Sequence, residues 1–305
     1  MTRQALVTIV VPVYNHCQYL AECLDSVVGQ TVHDWEAVVV DDGSTVGDPS
    51  AIVQETGDER IRLLRHDRNK GLAAARNTGI RESSGDYILP LDADDRLAAT
   101  FLEETLEALT ALTARARCDA VFTDFLAFGF RSGRLPYRVR DVKALLRDQW
   151  IPGAGAMFAR RLWETTGGYC EADALRHGNE DWEFWLSVAE HGLRATHVPR
   201  PLYCYRQHAE SMVTRLHYHD YLTREFIYDR HRALFDRYRM KHAFLAGGYL
   251  SSAKAHWRKG ERFEALGLGR RAFRLAPADC VRSLSRYTRR WLRNQWVAPR
   301  LISTP

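Results

Sequence analysis

Six cysteines, at positions 17, 23, 118, 170, 204 and 280, are scattered through the chain without a Cys-x-x-Cys pair. Such spacing builds neither a zinc site nor a disulfide framework, so a reducing compartment is the default expectation. No apolar run approaches the length of a membrane span, and Met1 to Ala5 do not open a secretory signal pattern. The expected location is cytoplasmic, at most peripheral at the inner face of the cell membrane. A strong excess of one charge is missing as well, since 43 Lys and Arg against 38 Asp and Glu leave +5. That balance argues against nucleic acid as a partner and leaves anionic small molecules or an acidic surface. Also missing is a glycine-rich turn after the first apolar segment, where Pro12-Val13-Tyr14-Asn15-His16 stands instead. Its absence excludes the dinucleotide fingerprint of an NAD-dependent dehydrogenase. What remains, 46% hydrophobic and 27% charged residues over 305 positions, describes a globular chain with one main domain and an appendage.

Leu6 to Val13 is a nearly continuous β-branched run, as expected of a strand covered on both faces. Tyr19-Leu20, Cys23-Leu24 and Val27-Val28 then recur at helical spacing. Further strands are expected at Trp35 to Val40, Ile61 to Leu64, Tyr87 to Leu91 and Ala120 to Phe128. Helices are expected over Leu72 to Ile80, Phe101 to Leu112, Arg160 to Glu164 and from Asn179 to about His191. Strands alternating with helices at this spacing imply βαβ units, hence a parallel sheet with helices on both faces. Ligands bind such sheets at the carboxyl ends of the strands. Tyr14-Asn15, Asp41-Asp42 and Asp92 to Asp95 all fall at those ends, so three polar clusters converge on one rim. From about residue 216 the sequence turns Tyr-, His- and Arg-rich, giving a division into 1–215 and a helical, basic 216–305. Within the latter, Ala253 to Pro277 resembles half of a tetratricopeptide-like helix pair turning at Gly260.

Asp92-Ala93-Asp94-Asp95 ends an apolar run with three carboxylates in four residues. Burying unpaired carboxylates is costly, so the cluster belongs at an exposed strand end beside a cation or cationic partner. The alternation lets one or two carboxylates reach a hard divalent ion whose shell water and phosphates complete. A polar turn with Asp as helix N-cap accounts for the same residues without any ion.

Taken in order, six segments resemble the inverting glycosyltransferases of family 2, which have the GT-A fold. They are Val10 to Asn15, Asp41-Asp42-Gly43-Ser44, Asn69-Lys70-Gly71 with Ala75-Arg76-Asn77, Asp92 to Asp95, Gly167-Gly168-Tyr169 and Glu180-Asp181-Trp182. The resemblance covers roughly the first two-thirds of the chain and leaves the appendage outside. It implies a Rossmann-like, mostly parallel mixed sheet with helices on both faces. It also implies transfer of a sugar from a nucleotide-diphospho-sugar, UDP- or dTDP-linked, to the hydroxyl of a saccharide or lipid-linked acceptor. By the same resemblance Mg²⁺ or Mn²⁺ neutralises the diphosphate leaving group, with Asp94 as ligand and Asp92 on the donor ribose or supporting the metal. Asp95 serves there or as an N-cap.

Asp42 resembles the residue accepting N3–H of a pyrimidine, with Asp41 on the loop or ribose and Pro12 and Tyr14 lining the base. Arg76 resembles a diphosphate contact. Asp181 matches the general base that takes the acceptor proton, with Glu180 as the alternative base or a loop-fixing residue. Trp182 is expected to wall the site and Trp185 to join the core. Arg206-Gln207-His208, followed by Ser211, resembles a further signature in which His208 joins the metal or touches phosphate.

From Val281 onward, arginines and apolar residues fall on largely opposite helical faces with no acid among them. Such a helix either lies on an anionic membrane or packs its stripe on the domain. The rival enzyme class, a sugar-1-phosphate nucleotidylyltransferase, requires a basic Gly-rich phosphate loop after the first strand. A non-catalytic sugar-nucleotide-binding protein would be signalled by loss of Asp94 or Asp181, both of which are present.

Overall fold

The computed structural model describes residues 5–113, 118–208 and 212–283. In chain order the elements open with β1 (Val7–Val13), α1 (Cys17–Val28), β2 (Trp35–Asp41), α2 (Pro49–Thr56), β3 (Ile61–Arg65) and α3 (Leu72–Arg81). Next come β4 (Tyr87–Pro90), β5 (Arg96–Leu97), α4 (Phe101–Thr113), β6 (Ala120–Gly129), β7 (Gly133–Leu135) and α5 (Val142–Leu145). After them lie β8 (Ala156–Ala159), α6 (Arg160–Thr166), a 3₁₀ turn (Asp173–Leu175), α7 (Glu180–Glu190) and β9 (Ala195–Gln207). Four helices follow: α8 (Met212–Arg230), α9 (Arg232–Arg237), α10 (Lys241–Lys259) and α11 (Arg262–Leu275). The chain divides into compact units Met1–Val213 and Thr214–Pro305.

The first unit is one mixed sheet in the order β3-β2-β1-β4-β8-β6-β9-β5, with β7 on β6. Its long pairings are parallel: β1 with β2 and β4, β2 with β3, and β6 with β9. Because side chains alternate along a strand, the two faces acquire different neighbours. Ile9, Val11, Ala37 and Val39 share a core with Leu20, Leu24 and Val27 of α1 and Phe101, Leu106 and Leu109 of α4. On the other face Val38 and Val40 pack on Ala75 of α3. That two-sided covering is the reason β1 and β2 read as unbroken apolar runs.

β9 was not visible as a strand, since His197, Pro199, Arg200 and Pro201 interrupt its pattern. Pairing with β6 carries it past those residues through two register shifts, between Thr123 and Asp124 and between Asp124 and Phe125. In the second unit α10 ends at a left-handed Gly260 (φ 90°) and α11 returns, a helix pair turning where the sequence places it. The first helix begins well before Ala253, at Lys241. Most of the basic segment from Val281 to Pro305, and Ser211, lie outside the described residues. Among the described residues no helix is long and apolar enough to cross a membrane.

Candidate active site

Parallel β1, β2 and β4 deliver their carboxyl ends to one rim, where Tyr14, Asp41-Asp42 and Asp92 to Asp95 follow. Asn15 adopts a left-handed conformation (φ 57°), which a short polar side chain tolerates. Its Oδ1 accepts from the backbone N–H of Thr45 (2.8 Å) and Val46 (3.1 Å), tying the β1–α1 turn to the β2–α2 loop. Tyr14 beside it is 43% exposed and its ring is available to a ligand. Pro12 is buried within β1 opposite Val40, so its ring presents nothing to the rim.

The two aspartates after β2 divide their work. Asp42 is buried and both of its oxygens are bonded. Oδ1 meets His66 Nδ1 (2.7 Å) and accepts from Lys70 N (2.8 Å), while Oδ2 accepts from Gly71 N (2.8 Å). It anchors the loop leading to α3, with Oδ2 carrying a single hydrogen bond and keeping capacity to accept another. Asp41 accepts from Ser44 N at 2.8 Å through Oδ1, and its Oδ2 is buried without a hydrogen bond, 3.3 Å from Arg65 Nε. Asp41 is thus fully buried between Ser44 and Arg65, and the acceptor with room for a further bond at this strand end is Asp42 Oδ2.

Arg76 also departs from its expected place. It is 2% exposed, donating from Nη1 to Glu180 Oε1 (2.7 Å) and from Nη2 to Asp92 Oδ1 (3.1 Å). Burial opposes its charge, but Asp92 and Glu180 outweigh that and hold the guanidinium protonated above its ordinary range. Arg76 is therefore a buried clasp joining the acidic loop to the start of α7, and it does not face the open rim. Asn77, next along α3, makes four hydrogen bonds. Its Nδ2 donates to Tyr169 O (2.8 Å) and Glu171 Oε1 (2.7 Å), and its Oδ1 accepts from Trp163 Nε1 and Tyr169 N, both 2.9 Å. A Cβ on Gly168 would stand 2.8 Å from that Oδ1 and from the Trp163 nitrogen. The Gly167-Gly168-Tyr169 segment is thus fitted to Asn77 and serves the scaffold.

Within the acidic loop the three aspartates separate. Asp92 keeps a side chain 37% exposed beside Arg76. Asp94 Oδ2 lies 2.8 Å from His208 Nε2 and 4.0 Å from His16 Nδ1. Asp95 points inward, its Oδ1 accepting from Arg206 N and its Oδ2 paired with Tyr203 OH, both at 2.7 Å. It caps no helix. Burial, reinforced by Asp92 and Asp94, pushes its carboxyl up to about 9. Arg206 Nε donates to the Asp94 carbonyl (2.7 Å), its other end pairs with Glu22, and its guanidinium lies over Tyr19 and Phe128. Arginine charge thus goes to the loop's backbone and to Glu22, and His208 is the cation-capable group closest to the Asp94 carboxylate.

At the start of α7, Asn179 is left-handed (φ 68°) and is followed by two acids, Glu180 and Asp181. Glu180 is buried against Arg76. Burial and the neighbouring Asp181 push its carboxyl up to about 7, against the pull of Arg76. Asp181 is only partly buried and its Oδ1 accepts from Trp182 N at 2.7 Å. Trp182 and Trp185 are both buried, donating to Leu145 O and Pro152 O, so Trp182 is core and not a wall. One residue had no sequence signal at all. A Cβ on Gly153 would sit 1.9 Å from Asp181 Oδ2. A glycine before a short strand reads as a turn until the facing carboxylate is located.

Residues 8–169, just over half of the chain, match the family model for glycosyl transferase family 2. The chain belongs to glycosyl transferase family 2. It is 40% identical over 200 residues to an uncharacterized glycosyltransferase of Rickettsia bellii, covering 63% of this chain and 27% of that one. It is 38% identical over 193 residues to the putative teichuronic acid biosynthesis glycosyltransferase TuaG of Bacillus subtilis, covering 62% and 74%. The chain therefore spans about a quarter of the first relative and about three-quarters of the second. Among solved structures it resembles the mannosyltransferase PcManGT of Pyrobaculum calidifontis, in complex with GDP-Man and Mn²⁺, with TM-score 0.60 and 23% identity over 95% of this chain and 81% of that one. It also resembles residues 1–349 of S. aureus TarS in complex with UDP, with TM-score 0.56 and 15% identity over 87% and 90%. At these identities the likeness establishes the GT-A fold.

Proposed function

We propose that this chain is a divalent-metal-dependent, inverting glycosyltransferase. It moves a sugar from a nucleotide-diphospho-sugar, UDP- or dTDP-linked, to the hydroxyl of a saccharide or lipid-linked acceptor during synthesis of a surface polysaccharide or glycoconjugate. The observation that carries the reading is the division of acids on one rim. Asp94 is paired with His208 beside the open Asp92, while Asp181 stands apart, partly exposed, at the start of α7.

Two carboxylates and an imidazole suit a hard divalent ion, and among the described residues no three such side chains enclose an ion by themselves. Asp94 and His208, 2.8 Å apart, would hold Mg²⁺ or Mn²⁺, with Asp92 beside them and water and donor phosphates completing the shell. When bound, such an ion supplies Lewis-acid neutralisation of the diphosphate leaving group. The chain's own residues do the rest. Tyr14 offers aromatic area to the base, and Asp42, whose Oδ2 carries a single hydrogen bond, offers the carboxylate suited to a pyrimidine N3–H. Asp181 takes the acceptor proton as its oxygen attacks from the face opposite the diphosphate. Glu180, held by Arg76, orients the helix start and is not the base. Work in polysaccharide assembly is supported by the likeness to TuaG, and the sugar-nucleotide donor by TarS bound to UDP and PcManGT bound to GDP-Man.

The test is a panel of UDP-, dTDP- and GDP-sugars with Mg²⁺ or Mn²⁺, read by thermal shift and by slow release of the nucleoside diphosphate without acceptor. Metal-dependent stabilisation and turnover with a uridine or thymidine donor are expected. Equal response to guanosine donors would remove the pyrimidine assignment, and no response to any donor would overturn the reading.

A further inference from the structure

β6 runs parallel to β9 with Gly129 opposite Gln207, and Phe130 N donates to Gln207 O at 3.0 Å. The chain therefore leaves the sheet at Phe130 within two residues of His208 and the Asp94 pair. The segment that follows, through β7 to Arg147, is unlike the rest of the surface. Phe130 is 67% exposed and Val139 49%. Among them stand Arg131, whose guanidinium lies over the Phe130 ring, and Arg138, Arg140, Lys143 and Arg147, all exposed and forming no ion pair among the described residues. Arg134 is the exception, bonded to Asp124. The nearby acids offset the set only in part, Asp141, which caps α5 by accepting from Ala144 N (2.7 Å), and Asp148 at the end being the two exposed carboxylates beside it.

The segment keeps an excess of positive charge, and its exposed apolar side chains stand in water among the cations. Both features become favourable against a surface that is anionic at its face and apolar beneath. A soluble anion would satisfy the charges and leave Phe130 and Val139 in water. We propose that this segment, 130–147, docks on an anionic lipid bilayer, with Phe130 and Val139 at the headgroup boundary and the cations on lipid phosphates. Docked so, the mouth beside Asp94 and His208 opens near the membrane, where an acceptor carried on lipid would present its hydroxyl. That last consequence rests on the proposed transferase reading; the docking itself does not.

The test is co-sedimentation of the full chain with phosphatidylcholine vesicles, with and without phosphatidylglycerol. Binding only to the anionic vesicles, weakening as salt rises, is expected. The double variant Arg138→Glu/Arg140→Glu and the single variant Phe130→Ser should each lose at least tenfold in vesicle affinity with an unchanged melting temperature. Wild-type vesicle affinity in both variants would overturn the proposal. So would loss of all binding on neutralising Arg289, Arg290 and Arg293 while the 130–147 variants bind normally. Competition by millimolar inorganic phosphate with no effect of Phe130→Ser would mark a free-anion site and overturn the lipid assignment. Because vesicle binding needs no donor, failure here is distinguishable from failure of the donor panel.

Discussion

Replacing Gly153 by Ala tests the base assignment without touching any ionisable group. The added methyl would sit 1.9 Å from Asp181 Oδ2, 2.7 Å from its Cγ and 2.9 Å from its Cβ. Optimal non-bonded carbon contacts lie near ~3.5–4.0 Å, so the carboxylate must swing away by more than about 1 Å. Misplacement of a catalytic group on that scale costs on the order of 10²-fold in rate, and complete loss of base catalysis about 10²–10⁴-fold. Gly153 does not have positive φ, so alanine is conformationally allowed, and the partly exposed Asp181 carboxylate can rotate away, while its Cβ, 2.9 Å from the methyl, requires a small backbone shift as well. The expected result is a kcat at least ~10²-fold lower, with donor KM and melting temperature close to wild type. Because both changes act on one group, Gly153→Ala combined with Asp181→Asn should be little worse than Asp181→Asn alone. Wild-type kcat in Gly153→Ala, or a loss confined to donor KM, would refute the reasoning.

Three further outcomes follow from the charges at the site. Glu180 titrates near 7 in the fold because burial and Asp181 oppose its ionisation, so its contribution to stability is full below about 4.5 and lost as pH rises through about 7. Glu180→Gln should flatten the fall in wild-type stability across that window by on the order of 3 kcal/mol, read by urea melts at pH 4.5 and 8; parallel pH curves would contradict it. Arg76→Ala leaves Glu180 and Asp92 without their cation and should cost about 3–5 kcal/mol of stability, with Arg76→Lys recovering part; a variant as stable as wild type would show the clasp to be dispensable. Asp41→Ala strands Ser44 N and Arg65, so it should lower the melting temperature with little change in nucleotide affinity, whereas Asp42→Ala, which strands His66 and two backbone N–H groups, should lower both the melting temperature and the affinity for uridine nucleotides. Unchanged uridine affinity in Asp42→Ala would remove its base-binding role.

The parallel half of the sheet was legible because β1, β2 and β4 are short apolar runs with polar strand ends, and their rim follows from topology. Asp94, His208 and Asp181 were singled out through the family resemblance, and of these the structure brings Asp94 and His208 together. What could not be read was which partners each acid is spent on. Asp41 and Asp42 are adjacent carboxylates, and only the positions of His66, Lys70 N and Gly71 N decide that Asp42 is spent on the loop. Arg76 reads like a rim arginine because its partners, Asp92 and Glu180, are 16 and 104 residues away. β9 escaped because its prolines and charged residues obscure a pattern that long-range pairing with β6 imposes. Gly153 escaped because the group it makes room for lies on α7, far along the chain.

The central claim, that the acids of one rim divide into a metal-holding set around Asp94 and a proton-accepting Asp181, is tested most directly by measuring nucleotide binding and turnover together. Calorimetric titration of UDP with Mn²⁺ into wild type, Asp94→Ala and Asp181→Asn, beside sugar transfer by the same samples, separates the two roles. The account predicts that Asp94→Ala loses both metal-dependent UDP binding and transfer, while Asp181→Asn binds UDP and Mn²⁺ as wild type and loses transfer by at least ~10²-fold. UDP binding that is lost in step with activity in Asp181→Asn, or metal-dependent binding retained in Asp94→Ala, would contradict it.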